Sequence, residues 1–563
     1  MVERILNFFQ RESSSLHEAA FLLGSLALVS QILALIRDRL LAASFGAGLE
    51  LDTYYAAFRV PDLLYVSLAS FMSVTVVLPF FAKHLERGDR ASAEHLMNDL
   101  FRIFIGLMVA AIIVLYWLMP ELLNWIAPGF DPSHQLELLK LSRILLLSPL
   151  LLGLSNLLAN ITQSSRKFLL YALSPVLYNL GIIAGIIFLY PMFGLAGLTW
   201  GVVLGAFAHL AIQWPAFRRG PVSFRWRRRA ATTNRAEWRT VLLLSLPRTL
   251  TLSAHQLSIV VLVALASYLA AGSIAVFNFA YNLQAVLLSI IGVSYSVATF
   301  PTLVRLFTNG DQKNFVAHLG TAARHIIFWS LPTLTLFIVL RAQIVRVILG
   351  AGKFDWADTR LTAAATAIFL VSVAAQSLIL LFVRGYYACG RTRRPLVINT
   401  LSSILIIIFS YELLHLARAY PGFSLWLAEL FRVSEVAGVE LLLLPLAFTL
   451  GVLINLAIFW AAFKRDFGSF PNSLYRSFGQ SATAALGGGV MAYLLLQLFA
   501  PIVDQTTVLG VFNQGFWSGL GGIAAAVIIL RWFKNEEIRE ISQSLHHKFW
   551  RRSKTVLPAT EEL

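Results

Sequence analysis

The residues best placed to do chemistry lie between Ser25 and Pro79, in SLALVSQILALIRDRLLAASFGAGLELDTYYAAFRVPDLLYVSLASFMSVTVVLP. Arg37, Asp38, Arg39, Asp52, Arg59 and Asp62 fall there in or beside two long apolar runs joined by a glycine-rich turn. Ionising a side chain inside hydrocarbon is costly, so such a charge is by default a functional-site hypothesis. The competing reading is that Arg37 to Arg39 reach the headgroups along their aliphatic stems. Arginine can offer phosphate oxygens a bidentate fork, and an acid such as Asp38 or Asp52 could complete a cation site with backbone carbonyls. Asp52 and Arg59 are seven apart and Arg59 and Asp62 three apart, which on one helix makes a charge-paired stripe. The bland alternative is a structural Asp and Arg network that holds the turn.

A second polar set lies further along: Arg248, His255 and Gln256 in one apolar run, Asn278, Asn282 and Gln284 in the next. Asn278 and Asn282 are four apart and share a helix face. Arg248 would serve anion binding or reach cytoplasmic headgroups. His209 and His255, single histidines on apolar runs, read as hydrogen-bonded core groups rather than proton carriers. HExxH, GxSxG and the phosphate-loop pattern are all missing. The chain is therefore not expected to be an enzyme.

The elements that must position these residues follow from composition. Of 563 residues 58% are hydrophobic and 13% charged, whereas a soluble globule carries roughly a quarter charged residues. With a mean hydropathy of +0.73, the chain reads as an all-α polytopic membrane protein, because runs of about 20 apolar residues recur from end to end. Fourteen transmembrane helices are expected, at about 19–44, 52–82, 98–119, 139–163, 168–190, 194–217, 238–269, 273–306, 319–349, 361–388, 395–416, 437–463, 474–499 and 511–533. The net charge of +16 suggests nucleic acid at first, but the basic residues fall in alternate loops, as membrane insertion produces. Both termini are then cytoplasmic. Lys83, Arg87 and Arg90, the run from Phe217 to Arg239, and the tail from Arg531 to Lys554 lie on that side. The single Cys389 leaves no disulfide framework and no cysteine-based metal site, and the opening residues lack the pattern of a cleavable signal.

The chain also repeats. LPFFAKHLERGD, from Leu78, aligns without gaps on FPTLVRLFTNGD, from Phe300, an offset of about 222 residues, and carriers are commonly built from repeated halves. Helices 1–6 and 7–12 are expected as two six-helix repeats, with helices 13–14 added. The predicted divisions are a cytoplasmic N-terminal segment 1–18, an N-lobe 19–217, a basic cytoplasmic linker 218–237, a C-lobe 238–464, helices 13–14 at 465–534 and a basic cytoplasmic tail 535–563.

RDRLLAASFGAGLELDTYYAAFRVPDLL, together with WIAPGF (Trp125 to Phe130), GKF (Gly352 to Phe354) and GYYACGRTRRPLVIN (Gly385 to Asn399), resembles the signature of the MurJ/MviN family. These are lipid II flippases of the multidrug/oligosaccharidyl-lipid/polysaccharide exporter superfamily, and six plus six plus two spans is what the resemblance implies. It also implies a multi-pass protein of the bacterial inner membrane that flips a polyprenyl-diphosphate-linked saccharide, the peptidoglycan precursor lipid II, by alternating access. Its partners would be that lipid-linked saccharide and membrane lipids, without nucleic acid. The chain is expected to act as a monomer and without a cofactor, coupling to a cation gradient or to the membrane potential being left open. A cavity of Arg37, Asp38, Asp52, Arg59, Asp62, Gln31, Arg248, Gln256, Asn278 and Asn282 would take the headgroup.

Departures from the signature matter as much. Gln31, Tyr65 and Val66 stand where the family carries arginines, Ser70 to Ser73 replace its Glu-Gly-Ala-Phe, and Asn282 replaces a basic residue. The alternatives are export of another lipid-linked oligosaccharide, a membrane-embedded glycosyltransferase, or a non-transporting scaffold of the cell envelope.

Overall fold

The computed structural model describes residues 16–69, 90–164, 167–214 and 235–540, and every regular element among them is helical. In chain order the α-helices longer than one turn are α1 (Leu16–Phe45), α2 (Leu49–Ala57), α3 (Arg59–Ala69), α4 (Arg90–Ile126), α5 (Pro132–Leu145), α6 (Leu147–Ser164), α7 (Phe168–Ala184) and α8 (Leu195–Ala211). Then follow α9 (Arg235–Ala266), α10 (Ser273–Leu287), α11 (Ser294–Thr308), α12 (Gln312–Val339), α13 (Arg341–Leu349) and α14 (Trp356–Ala388). The last are α15 (Arg393–Ala419), α16 (Pro421–Phe431), α17 (Leu443–Phe467), α18 (Asn472–Phe499) and α19 (Val508–Trp532).

Eleven helical stretches among the described residues are long and apolar enough to cross a membrane, from Met97–Ile126 to Val508–Trp532. They fall on the third to fifth and seventh to fourteenth expected spans. The sixth is the shorter apolar α8. The first corresponds to α1, and the second begins with α2 and α3 and continues into residues 70–89, outside the described ones. The chain is thus an all-α polytopic membrane protein.

Several expected spans are interrupted. The second breaks at Phe58, three residues before Pro61, whose missing N–H and bulky ring disturb the turn before it. The outer loop expected between the eleventh and twelfth spans contains α16, an apolar helix leaving Leu425, Trp426 and Leu430 exposed.

The chain packs as two compact units. The first comprises residues 1–286, 345–369 and 390–458, the second 287–344, 370–389 and 459–563. Within the first, α7 and α8 cross on a stripe of glycines. Gly181 and Gly185 face Gly205 and Gly201, and a Cβ added at Gly185 would lie 2.6 Å from the Gly201 Cα. Small residues spaced by four let two membrane helices approach until their backbones touch. On the other side α1 lies against α7, and α9 against α3 and α15.

The second unit is organised in the same way. Gly488 of α18 meets Gly522 of α19, while Phe328, Ala484, Ala526 and Leu530 bury one another where α12 joins them. Phe382, Phe463 and Phe470 stack as a further core, with Phe382 and Phe463 ring centroids 5.4 Å apart.

Candidate functional site

A seam of polar contacts runs along one face of α10 within the first unit. Asp52 of α2, 2% exposed, accepts the backbone N–H of Gly272 and of Ala275, each at 2.7 Å. These are orphan donors at the start of α10, and the positive end of the helix dipole favours a carboxylate there. Gly272 has φ of +89° and faces the Ala47 carbonyl so closely that a Cβ would collide with it.

One turn further, Asn278 accepts from Arg59 Nη2 at 2.5 Å and donates to the Ile274 carbonyl at 2.7 Å. A turn beyond, Asn282 donates to Asp38 Oδ2 at 3.1 Å. The other Asp38 oxygen accepts Arg37 Nε at 2.9 Å and Nη2 at 2.7 Å. Residues 275, 278 and 282 share a helix face, so α10 presents a backbone donor and two amides in register with Asp52, Arg59 and Asp38.

The Arg37 guanidinium also donates to Asn179 Oδ1 on α7 at 3.1 Å, and the Asn179 amide donates to Ser30 Oγ at 3.2 Å and to the Pro175 carbonyl at 3.1 Å. Arg37 lies eight residues before the end of α1, about 12 Å along the axis, and is held inward. It does not use its stem to reach headgroups. Burial of Asp38 and Arg59, 4% and 7% exposed, is tolerable because each meets a partner.

One part of the Arg59 head is left over. Its Nε is buried without a hydrogen-bond partner among the described residues, as is the Tyr55 hydroxyl. Both atoms are available donors of the kind an incoming phosphate would take.

The expected stripe of Asp52, Arg59 and Asp62 is divided differently from the sequence reading. The chain breaks between α2 and α3 at Phe58, so Asp52 serves the α10 backbone while Arg59 serves Asn278. Asp62 is half-buried. Gln31, Arg248 and Gln256 are half-buried too, and the seam's bonds are made without them. His209 and His255 are hydrogen-bonded within packed helices, to Ser155 Oγ at 2.7 Å and to the Tyr281 hydroxyl at 3.4 Å.

The glycine-rich turn after α1 is held as closely. Gly46 has φ of +64°, and a Cβ there would lie 2.9 Å from the Lys353 carbonyl oxygen. Ala47 N–H donates to Asp358 Oδ2 at 3.0 Å, Lys353 N–H donates to the Ala43 carbonyl at 2.9 Å, and Arg39 donates to the Val347 carbonyl at 2.6 Å. Nearby, Gly129 N–H donates to Ser267 Oγ at 3.1 Å.

Sequence reasoning did not identify Ser30, Tyr55, Asn156 and Asn179 as site residues. An asparagine within an apolar run was the available signal for Asn156 and Asn179. Asn156 donates to the Tyr65 hydroxyl at 2.6 Å, so one position lacking the signature arginine is occupied by a neutral pair. Among the described residues no group of three or more His, Cys, Asp or Glu side chains could hold a metal ion.

The comparisons with known proteins agree with this architecture. The model of the family "Lipid II flippase MurJ" matches residues 41–511. A probable lipid II flippase MurJ of Rhizobium tropici is 27% identical over 415 residues, 71% of this chain and 77% of that one. The lipid II flippase MurJ of Burkholderia cenocepacia is 22% identical over 389 residues, 68% and 75% of the two chains. Among solved structures, lipid II flippase MurJ in an inward closed conformation superposes with a TM-score of 0.70 at 21% identity, covering 93% of this chain and all of that one. An inward-facing MATE-family multidrug transporter of the MOP superfamily gives a TM-score of 0.65 at 14% identity, covering 79% and 96%. The chain belongs to the MurJ family.

Proposed function

We propose that this member of the MurJ family flips lipid II, a polyprenyl-diphosphate-linked saccharide, across the bacterial cytoplasmic membrane by alternating access. The observation that carries the reading is the family match over residues 41–511, and the seam on α10 gives it a mechanism. The two lobes are residues 19–217 and 238–464, with the thirteenth and fourteenth expected spans, α18 and α19, beyond them. Both termini are cytoplasmic, the protein acts as a monomer, and it transports without catalysing a reaction.

On this topology, Asp52 to Gly272 and Ala275, Ala47 to Asp358, and Gly129 to Ser267 all join the lobes at their outer ends. The arrangement suits a state closed to the outside. Opening would break the backbone capping by Asp52 and part Arg59 and Asp38 from their asparagines. Arg37 and Arg59 would then be free to take the diphosphate, with Arg59 Nε and the Tyr55 hydroxyl already lacking partners. The polyprenyl tail would stay in lipid.

The test is complementation of a strain depleted of its own lipid II flippase. Rescue is expected, and failure to rescue with the protein correctly inserted would overturn the lipid II assignment. A second reading, export of a different lipid-linked saccharide, is favoured by one specific feature: Tyr65 and Asn282 are neutral and bonded within the protein. Binding of defined lipid-linked saccharides to the purified protein separates the two.

A further inference from the structure

The second unit carries a cavity that the transport reading does not use. It has a volume of about 350 Å³ and lies at the start of α18 and the end of α19, reaching Arg324 of α12. On the proposed topology this is the cytoplasmic end.

Its donors are of the type that binds a phosphate. The 28-residue α18 begins after Pro471 with no side-chain cap and no acid in its first turn; Leu474 N–H donates to the Pro471 carbonyl, which leaves the N–H groups of Asn472 and Ser473 and the positive end of the dipole to meet an anion. Asn472 and Ser473 of that turn line the cavity, as do Arg476 and Lys534. Neither cation is in an ion pair among the described residues, and both are exposed. A separate observation points to a missing ligand. Ser477 lines the cavity and is 3% exposed, yet its hydroxyl has no hydrogen-bond partner among the described residues. A serine within a helix can usually satisfy itself on the carbonyl four residues back, and this one does not.

The acids present are mostly engaged. Glu536 pairs with Arg324 at 2.6 Å, and Glu537 Oε1 lies 3.6 Å from the same guanidinium. Glu537 is 2% exposed, and that oxygen accepts no hydrogen bond among the described residues. The cavity therefore offers cations and donors together with a buried carboxylate oxygen that is ion-paired at 3.6 Å but accepts no hydrogen bond among the described residues. Such a site suits a headgroup with a phosphate and hydroxyl groups, the hydroxyl donating to Glu537. The aromatic residues argue for a lipid rather than a free phosphate. Trp532, 81% exposed, and Tyr475, 52% exposed, stand at the same helix ends, as interfacial anchors do at headgroup depth.

We infer that this cavity is a regulatory or stabilising binding site for an anionic phospholipid with a polyol headgroup, separate from the transport seam. The test uses the full-length protein in detergent and counts bound lipid by native mass spectrometry. Phosphatidylglycerol is titrated against phosphatidic acid and phosphatidylcholine, and soluble glycerol 1-phosphate is added as a competitor. Phosphatidylglycerol is expected to bind tightest. Arg476→Gln with Lys534→Gln should weaken it roughly thirtyfold, since two basic contacts near a membrane surface at about 1 kcal/mol each make about 2 kcal/mol, and every 1.4 kcal/mol is tenfold. Arg476→Lys with Lys534→Arg should restore it. Ser477→Ala should weaken it less, and Glu537→Gln should reduce the preference over phosphatidic acid.

The control with equal charge change is Arg305→Gln with Lys313→Gln, exposed residues at the end of α11 and the start of α12. If that pair weakens binding as much, the attraction is general and the site is refuted. If glycerol 1-phosphate displaces the lipid at comparable concentration, the ligand is a free phosphate and the lipid assignment is overturned. Melting temperature, measured without lipid, identifies any variant that fails to fold, and Ser477→Ala alone then carries the test.

Discussion

Replacing Asp52 by Ala should uncap the start of α10 and loosen its junction with α2. The carboxylate is 2% exposed and accepts two backbone N–H groups at 2.7 Å, from Gly272 and Ala275. Hydrogen bonds to a charged acceptor contribute about 1.5 kcal/mol each at the low end of their range, together ~3 kcal/mol, and their loss strands two donors at a helix start. If those bonds exist only in the state closed to the outside, the ratio of open to closed molecules rises more than about 100-fold. Asp52→Asn keeps one acceptor and loses the charge, so roughly tenfold is expected by the same reasoning. The assay places one reporter cysteine, Ser267→Cys with Cys389→Ala, at a buried outer contact and follows its labelling by a membrane-impermeant maleimide. Labelling should rise strongly in Asp52→Ala and modestly in Asp52→Asn. Unchanged labelling in a variant with the parental melting temperature would refute the capping argument.

Other consequences are smaller in scope. Gly46→Ala should destabilise the protein by about 1–2 kcal/mol through its left-handed backbone alone, with a further cost from the Lys353 carbonyl, measured as a lowered melting temperature; an unchanged value would mean that the turn relaxes freely. Gly201→Leu should prevent α7 and α8 from packing and abolish accumulation in membranes, whereas Gly194→Ala, where nothing lies within 4 Å of an added Cβ, should cost only its backbone strain. Arg59→Lys should retain charge but lose the Nη2 bond to Asn278 and the planar donor set a phosphate could take, lowering transport more than insertion; equal transport by the two proteins would remove Arg59 from the path. Asp311 caps α12, accepting Asn314 N–H at 3.1 Å and its amide at 2.6 Å, which holds its carboxyl below the usual range. Its stabilising contribution is therefore present above the ordinary aspartate pKa and is lost as pH falls through the lower folded value. Asp311→Ala should flatten that part of a melting-temperature profile, and an identical acid limb in the variant would exclude the cap.

The membrane class was legible because long apolar runs dominate the local signal, and eleven of them stand as helices able to cross a membrane. Arg37, Asp38 and Arg59 were legible because charge in hydrocarbon demands a reason. Asn278 and Asn282 followed from helix periodicity, and both meet charges in the seam. Their partners were less accessible to sequence reasoning. Asn179 lies 142 residues from Arg37, and nothing local joins them. Asp52 is the instructive case, since the sequence left a cavity role and a turn-holding role open. In this state its carboxylate takes the backbone N–H groups of Gly272 and Ala275, a helix-capping role that neither reading named, while Asp358 holds the turn; backbone partners leave no trace in residue types. α16 escaped notice because a short apolar helix between two spans reads as loop.

The central claim is tested most directly by reconstituting the purified protein into proteoliposomes and measuring how fast lipid II moves between leaflets, with and without imposed sodium, proton and voltage gradients. Movement well above that of protein-free vesicles is expected, lost in Arg37→Ala and Arg59→Ala while folding is retained. Lipid II that stays in its original leaflet, in vesicles where another lipid-linked saccharide is moved, would contradict it.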